Sequence, residues 1–209
     1  MGLRERKKQQ TRELLADTAR RLFTERGFER VSVAEVARAA DVSEKTVFNY
    51  FPTKEDLVYW RLETFEAELL ETIRGRAVGE SVLDAFGRFV SAPRGMLASP
   101  DEETRERLAA LSRMIAASPA LLAREQQIFA GYTDSLAALL AVETGSSGIE
   151  PWVVANALMG VHRALVSFAR ERIVAGAGAP ELARAVRAEA DRALARLHEG
   201  FGGYGVKEP

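Results

Sequence analysis

The segment 32–57 constrains the fold more than any other part of the chain, because it carries the start signals of two short helices in tight succession. Ser32 and Glu35 have the spacing of a capping box, in which each side chain accepts a hydrogen bond from the other residue's backbone N–H. Apolar residues then recur at helical spacing, and Ser43 is placed to cap a second helix over 44–51. Two short helices joined this closely predict a helix-turn-helix, whose second helix fits the major groove of DNA.

Most of the remaining chain also has the period of an α-helix. Apolar residues recur every three or four positions in several long segments, and clusters of Gly, Pro and Ser separate these segments. One such helix is expected to run without interruption over 54–74, while the last ten residues, 200–209, are expected to fray. No segment alternates convincingly with the period of a β-strand. We therefore predict an all-α chain of about nine helices.

The net charge of −1 is unevenly distributed along the chain. Residues 1–54 hold 12 Lys and Arg against 8 Asp and Glu, whereas the remaining 155 residues hold 17 against 22. A basic end on an acidic body suits a protein that contacts phosphate at one end only.

Several classes of protein are excluded or disfavoured by missing residues and motifs. The chain has no cysteine, which excludes disulfides and thiolate metal sites, and its two histidines do not have metal-ligand spacing. No P-loop, GxSxG, HExxH or GxGxxG motif is present, so we expect no enzyme, no metal site and no cofactor. No apolar run is long enough to span a bilayer and no leader segment is visible. We therefore expect a cytoplasmic protein without a membrane partner.

The second helix of the pair and the residues that follow it resemble the recognition region of the tetracycline-repressor (TetR) family of bacterial regulators. The residues are Thr46-Val47-Phe48-Asn49-Tyr50-Phe51, followed by Pro-Thr and Lys54. In that family a Thr and an aromatic residue precede a His or Tyr that is followed by Phe, with Lys three residues beyond. This chain departs at Phe48, where Tyr is frequent, and at Asp41, where a turn Gly is usual. Asp tolerates the left-handed conformation better than most residues, so the turn should survive.

The resemblance implies how the first domain, 1–53, and the adjoining Lys54 bind a palindromic operator in double-stranded DNA. Phosphates would be contacted by Thr46, Tyr50 and Lys54, and base edges by Lys45 and Asn49. Phe48 would make only apolar contact with a sugar or a thymine methyl group. A basic run near the N-terminus is either a solvated tail or a segment that lies along phosphates or in a minor groove. Its DNA-binding candidates are Arg4, Lys7 and Lys8.

The resemblance also implies that 54–209 forms a helical domain for effector binding and dimerisation. The effector would be a small hydrophobic or amphipathic molecule, and an acyl thioester is one candidate. Its pocket candidates are Trp60, Phe65, Phe86, Phe89, Met96, Phe129, Tyr132, Asn156, His162 and Arg163. A homodimer would form through apolar stripes on the last two helices, unless these stripes face the chain's own core. The stripe residues are Val154, Leu158, Val161, Leu165, Phe168, Val186, Leu194 and Leu197.

The expected function is therefore that of a ligand-responsive bacterial repressor. The alternative is a constitutive DNA-binding or architectural protein without an effector, and a helical enzyme is a remote third. About 150 residues beyond the helix-turn-helix exceed what dimerisation needs, which favours a sensor.

Overall fold

The computed structural model of the chain describes residues 2–60, 62–92, 101–201 and 204–207, without the side chains of Leu3 and Glu63. These residues form ten α-helices and no β-strand, which confirms the all-α prediction. The helices are α1 Leu3–Arg26, α2 Val33–Ala39, α3 Glu44–Tyr50, α4 Asp56–Tyr59, α5 Leu62–Arg74, α6 Val82–Ser91, α7 Glu102–Ala117, α8 Pro119–Thr144, α9 Glu150–Val174 and α10 Ala179–Phe201.

The helices divide into two compact units. The first unit comprises Met1–Glu63 and Arg113–Glu125, and the second comprises Thr64–Ser112 and Gln126–Pro209. The corner between α7 and α8 therefore clusters with the N-terminal helices, although it is distant from them in the sequence. The proposed boundary between a domain 1–53 and a domain 54–209 stays a prediction.

The first unit is built around the buried face of α1. Leu15 and Phe23 on that face are almost fully enclosed, and α1 packs against α2 and α4. Gly27 ends α1 with a φ of 86°, a conformation that favours glycine. The chain then turns back so that the ring of Phe28 packs edge-on against Phe23, with centroids 5.0 Å apart. This turn brings the α2–α3 pair onto α1.

The predicted continuous helix over 54–74 is wrong, because α4 ends at Tyr59 and α5 begins at Leu62. Its predicted start at Lys54 is also wrong, because α4 begins at Asp56 with Glu55 as its N-cap residue. The predicted hydrogen bonds between Thr53 and Asp56 are nevertheless present, at 3.0 and 3.3 Å. The sequence has no Gly or Pro at this break that would have predicted it. The break follows the buried Tyr59, whose hydroxyl donates to the Leu121 carbonyl at 3.0 Å, so a contact with a distant part of the chain lies at the end of α4.

In the second unit, α10 packs against both α6 and α9. Among the described residues, α9 is the one helix that is long and apolar enough to cross a bilayer by length and composition. The core helix of a soluble protein passes the same test, and α9 buries Val154, Leu158 and Met159 within the second unit. Its apolar character thus has an explanation in the packing of this unit.

The predicted fraying of the C-terminal tail is wrong for residues 204–207, which pack onto the connection between α5 and α6. The Gly79 N–H donates to the Lys207 carbonyl at 2.8 Å, and the Lys207 ammonium donates to the Arg76 carbonyl at 3.3 Å. The buried Arg76 guanidinium donates to the Gly205 carbonyl at 2.9 Å and pairs with the Glu143 carboxylate at 2.5 Å. The tail is held because it supplies partners to a buried charge.

Candidate functional site

The position of α3 is fixed by its cap, by the turn before it and by its buried face. The Ser43 hydroxyl accepts the Thr46 N–H at 3.1 Å, which confirms the predicted cap. Asp41 has a φ of 54°, so the aspartate does adopt the left-handed conformation that the turn requires. Val47 on α3 and Phe51 after it are both 1% exposed and anchor the helix in the core of the first unit. The opposite side of α3 is therefore presented in one orientation.

The outward side of α3 carries the residues that were predicted to contact DNA bases. Lys45 and Asn49 are exposed, and Phe48 is 47% exposed although it is a large apolar residue. Thr46 and Tyr50 are half-buried at the edges of this surface. The Thr46 hydroxyl lies 2.8 Å from that of Ser43. The roles of these five residues on DNA stay predictions.

Lys54 makes contacts within the first unit that the sequence did not predict. Its ammonium donates to the Phe28 carbonyl at 2.6 Å and lies 4.1 Å from the centroid of the Phe28 ring. Burial lowers the pKa of Lys54 below its ordinary value, opposed by the nearby carboxylates of Glu29, Glu55 and Glu35. The ammonium therefore ties the start of α4 to the turn after α1. A phosphate contact by Lys54 stays a prediction.

The start of α2 confirms the predicted capping box and adds an ion pair to it. Glu35 accepts the Ser32 N–H at 2.8 Å, and the Ser32 hydroxyl accepts the Glu35 N–H at 3.2 Å. The Arg26 guanidinium at the end of α1 reaches the same carboxylate at 2.6 Å. The Ser32 N–H first, and then Arg26, lower the pKa of Glu35 to about 2. The cap therefore also fixes α2 to the end of α1.

The basic run near the N-terminus is part of a helix. Arg4, Lys7 and Lys8 are all exposed on the first turns of α1. Farther along α1, the Arg12 guanidinium lies 5.3 Å from the centroid of the Phe51 ring, just after α3. The cation–π contact of Arg12 thus joins the basic helix to the end of α3. Whether the exposed basic residues meet phosphates stays a prediction.

Three hydrogen bonds hold the α7–α8 corner against the N-terminal helices within the first unit. The buried Ser118 hydroxyl donates to Glu29 at 2.6 Å, and Tyr59 donates to the Leu121 carbonyl. The Arg124 guanidinium donates to the Asp56 carboxylate at 2.8 Å. Sequence reasoning missed all three contacts, because their partners are more than 60 residues apart. Only the Ser-Pro helix start at 118–119 gave a local signal there.

In the second unit, five of the predicted effector-pocket residues form one aromatic cluster. The rings of Phe65 and His162 are stacked with centroids 4.4 Å apart, and the ring of Phe129 meets that of His162 edge-on at 5.3 Å. Phe65 also contacts Phe89 at 5.2 Å and Tyr132 at 5.5 Å. The cluster draws on α5, α6, α8 and α9. Burial lowers the pKa of His162 to about 4, so its imidazole is neutral at physiological pH.

The other predicted pocket residues are not among the five rings of this cluster. Phe86 is fully buried in the second unit, and the Asn156 side chain donates to the Trp152 carbonyl one turn earlier at 2.9 Å. Arg163 is half-buried on α9. Trp60 is half-buried and belongs to the first unit. Met96 lies outside the described residues.

The residues predicted for a dimer interface are only partly accessible within one chain. Val154, Leu158 and Leu165 are at most 7% exposed, so they are already covered by the second unit itself. Five are half-buried: Val161, Phe168, Val186, Leu194 and Leu197. Trp152 and Val153 on α9 are exposed, at 55% and 39%, although they were not among the candidates. The described residues contain no cluster of His, Asp and Glu that could hold a metal ion.

Comparison with known proteins finds one match to the N-terminal region and others to about 70–75% of the chain. Residues 15–59 match the family described as bacterial regulatory proteins, tetR family. The transcriptional regulator TcmR of Streptomyces glaucescens is 28% identical over 146 residues, which cover 69% of this chain and 65% of TcmR. This chain therefore aligns with slightly less than two thirds of TcmR. The transcriptional regulator MftR of Mycobacterium tuberculosis is 28% identical over 165 residues, which cover 75% of this chain and 78% of MftR.

Among solved structures, NalD of Pseudomonas aeruginosa has a similar fold. NalD is the secondary repressor of the MexAB-OprM multidrug efflux pump. The two structures superpose with a TM-score of 0.57 at 19% sequence identity, over 88% of this chain and 97% of NalD. At this identity the likeness concerns the fold alone.

Proposed function

Because the chain belongs to the TetR family of bacterial regulatory proteins, we propose that it is a ligand-responsive repressor that binds a palindromic operator as a homodimer. A small hydrophobic or amphipathic effector, bound in the second unit, releases the DNA. The protein acts in the cytoplasm, where the DNA is.

The observation that best supports DNA binding is the outward surface of α3. Its back is buried through Val47, its start is capped by Ser43, and its front exposes Lys45 and Asn49. A rigid helix with an exposed amide and ammonium can donate and accept hydrogen bonds at base edges in the major groove. The exposed Phe48 adds an apolar surface that suits a thymine methyl group. In this proposal Thr46, Tyr50 and Lys54 contribute phosphate contacts, which set orientation rather than sequence.

The homodimer is proposed to form through α9 and α10. The exposed Trp152 and Val153, together with the half-buried Val161 and Phe168, leave apolar side chains of α9 accessible on a single chain. Covering such side chains with a second copy removes them from water. Two α3 helices in one dimer would then meet two half-sites about one DNA turn, roughly 34–36 Å, apart or a multiple of it.

The function is tested by a gel shift with DNA from upstream of the chain's own coding sequence. We expect the protein to retard this DNA but not a scrambled sequence of equal length, and a metabolite extract to release it. Retardation that no extract reverses would favour the constitutive DNA-binding protein. No retardation of any upstream or palindromic DNA would refute the proposed function.

A further inference from the structure

The aromatic cluster of the second unit has a buried side and an accessible side. Phe89, Phe129 and Tyr132 are at most 4% exposed and form the buried side. Phe65 and His162 are half-buried, and these two rings are stacked on each other. A molecule that reaches the cluster would therefore meet Phe65 and His162 first, with the other three rings behind them.

His162 is the one polar ring among the two accessible members, and its hydrogen-bonding capacity is unused. Within the described part of the chain, neither ring nitrogen of His162 has a hydrogen-bond partner. Because burial holds the imidazole neutral, it offers one N–H donor and one nitrogen acceptor. His162 is half-buried, so water can reach its ring, and a ligand hydroxyl or carbonyl can take the place of that water as the hydrogen-bond partner.

The chemistry of the cluster selects among small apolar molecules. His162 and Tyr132 are already stacked on the Phe65 ring, so an aromatic molecule would meet the rings of the cluster edge-on. A flexible alkyl chain does not gain this attraction beyond its buried area. None of the five rings carries a charge, so the cluster offers no partner for an ionised ligand. A hydroxyl or carbonyl group on the molecule would satisfy His162.

We propose that the effector is an uncharged, planar aromatic molecule with at least one hydroxyl or carbonyl group, which packs against the accessible part of Phe65 and hydrogen-bonds to His162. This inference rests on the proposed function, because it names the class of molecule that the sensor detects. It narrows that function by naming aromatic molecules, rather than acyl chains, as the preferred ligands.

The test compares three neutral probes by isothermal titration calorimetry on the full chain. The probes are 2-naphthol, which is planar with a hydroxyl, naphthalene, which lacks the hydroxyl, and 1-decanol, which has a hydroxyl on a flexible chain. We expect 2-naphthol to bind roughly three- to tenfold more tightly than naphthalene, the worth of one hydrogen bond, and 1-decanol to bind more weakly than 2-naphthol.

Two variants test whether His162 and Phe65 cause the tighter binding of 2-naphthol. His162→Phe keeps a ring in the stack but removes both nitrogens, so it should make the affinities for 2-naphthol and naphthalene equal within about twofold. Phe65→Leu keeps His162, so it should weaken both aromatic probes by a similar factor and preserve their ratio. His198→Gln, at the exposed second histidine on α10, is the matched control and should match the wild type. Thermal melting of each variant shows which of them are folded.

The results separate failure of this inference from failure of the proposed function. The inference is overturned if the wild type binds 1-decanol as tightly as 2-naphthol, or binds neither aromatic probe. It is also overturned if a folded His162→Phe variant still binds 2-naphthol more tightly than naphthalene. If that variant does not fold, the inference is overturned if Phe65→Leu changes the ratio of the affinities for 2-naphthol and naphthalene. In each of these cases, wild-type protein that still retards operator DNA and is released by extract leaves the proposed function intact.

Discussion

Lys54→Met distinguishes two proposed roles of Lys54, a structural contact within the first unit and a phosphate contact on DNA. The substitution keeps most of the apolar stem but removes the ammonium, which donates to the Phe28 carbonyl at 2.6 Å and lies 4.1 Å from the Phe28 ring centroid. Within the first unit, the ammonium joins the start of α4 to the turn after α1. To contact a phosphate of DNA, the same ammonium would have to break its hydrogen bond to the Phe28 carbonyl or donate to both acceptors at once.

The expected loss of stability follows from these contacts. A hydrogen bond from a charged donor contributes about 1.5–3 kcal/mol and a cation–π contact about 0.5–1 kcal/mol. Three features reduce the total. Lys54 is only half-buried, burial lowers its pKa and so opposes the charged form, and the Phe28 carbonyl keeps a longer bond of 3.4 Å from the Val31 N–H. We therefore expect Lys54→Met to lower the free energy of unfolding by about 1–2 kcal/mol.

Urea unfolding measures the structural role, and the salt dependence of operator binding measures the phosphate role. Lys45→Met, at an exposed lysine on α3, is the control for stability and should change it by less than about 0.5 kcal/mol. If Lys54 contacts a phosphate, Lys54→Met should lower the magnitude of the salt slope by about one unit and weaken binding to all DNA sequences alike. Unchanged stability would refute the structural reasoning, and an unchanged slope would refute the phosphate contact.

Four further substitutions test other parts of the structure. Asn49→Ala should relax specificity at one base pair of each half-site, at a cost of about 1–3 kcal/mol on the preferred base; binding-site selection should therefore give a changed sequence logo. Val153→Arg should halve the mass measured by light scattering, whereas Val142→Arg, at an exposed valine on α8, should not. The Glu35 carboxylate has a lowered pKa, so its stabilisation is complete above pH 4.5 and is lost as the pH falls toward 2; melting curves of Glu35→Gln should lack this part of the acid dependence. Arg124→Ala should weaken effector-induced release of DNA more than operator affinity itself, when both are measured on one preparation.

The contacts of the first unit that could be predicted from the sequence are those between residues a few positions apart. The capping boxes join residues three positions apart, and the conformation of Asp41 depends on its own side chain. The contact from Lys54 to Phe28 spans 26 positions and that from Ser118 to Glu29 spans 89. No spacing rule identifies such pairs. The sequence therefore identified α3 and its outward surface, but not the contacts that hold the α7–α8 corner.

The helical period identifies an apolar face but not the surface that covers it. Leu158 and Leu165 lie on the predicted dimer stripe of α9, yet both are buried within a single chain. The same ambiguity affects the aromatic residues: Phe65, Phe129 and His162 come from three helices, and only the fold shows that their rings meet. The glycines of the tail suggested fraying. The sequence did not show that Arg76 and Gly79 form hydrogen bonds with the tail.

The expectation for Arg124→Ala depends on the continuity of α8. The helix predicted over 54–74 ends at Tyr59 and a second helix begins at Leu62, whereas α8 runs unbroken from Pro119 to Thr144.

The first residues of α8 belong to the first unit, where Arg124 pairs with Asp56 at the start of α4. Five and eight residues later, Phe129 and Tyr132 supply rings to the aromatic cluster of the second unit. The ion pair of Arg124 and Asp56 holds the start of α8 to α4 within the first unit, and we expect its loss to weaken the response of these helices to the effector. Because a half-buried pair contributes little stability, about 1 kcal/mol or less, Arg124→Ala should remain folded and bind DNA. Wild-type effector release in this variant would show that the coupling does not pass through Arg124.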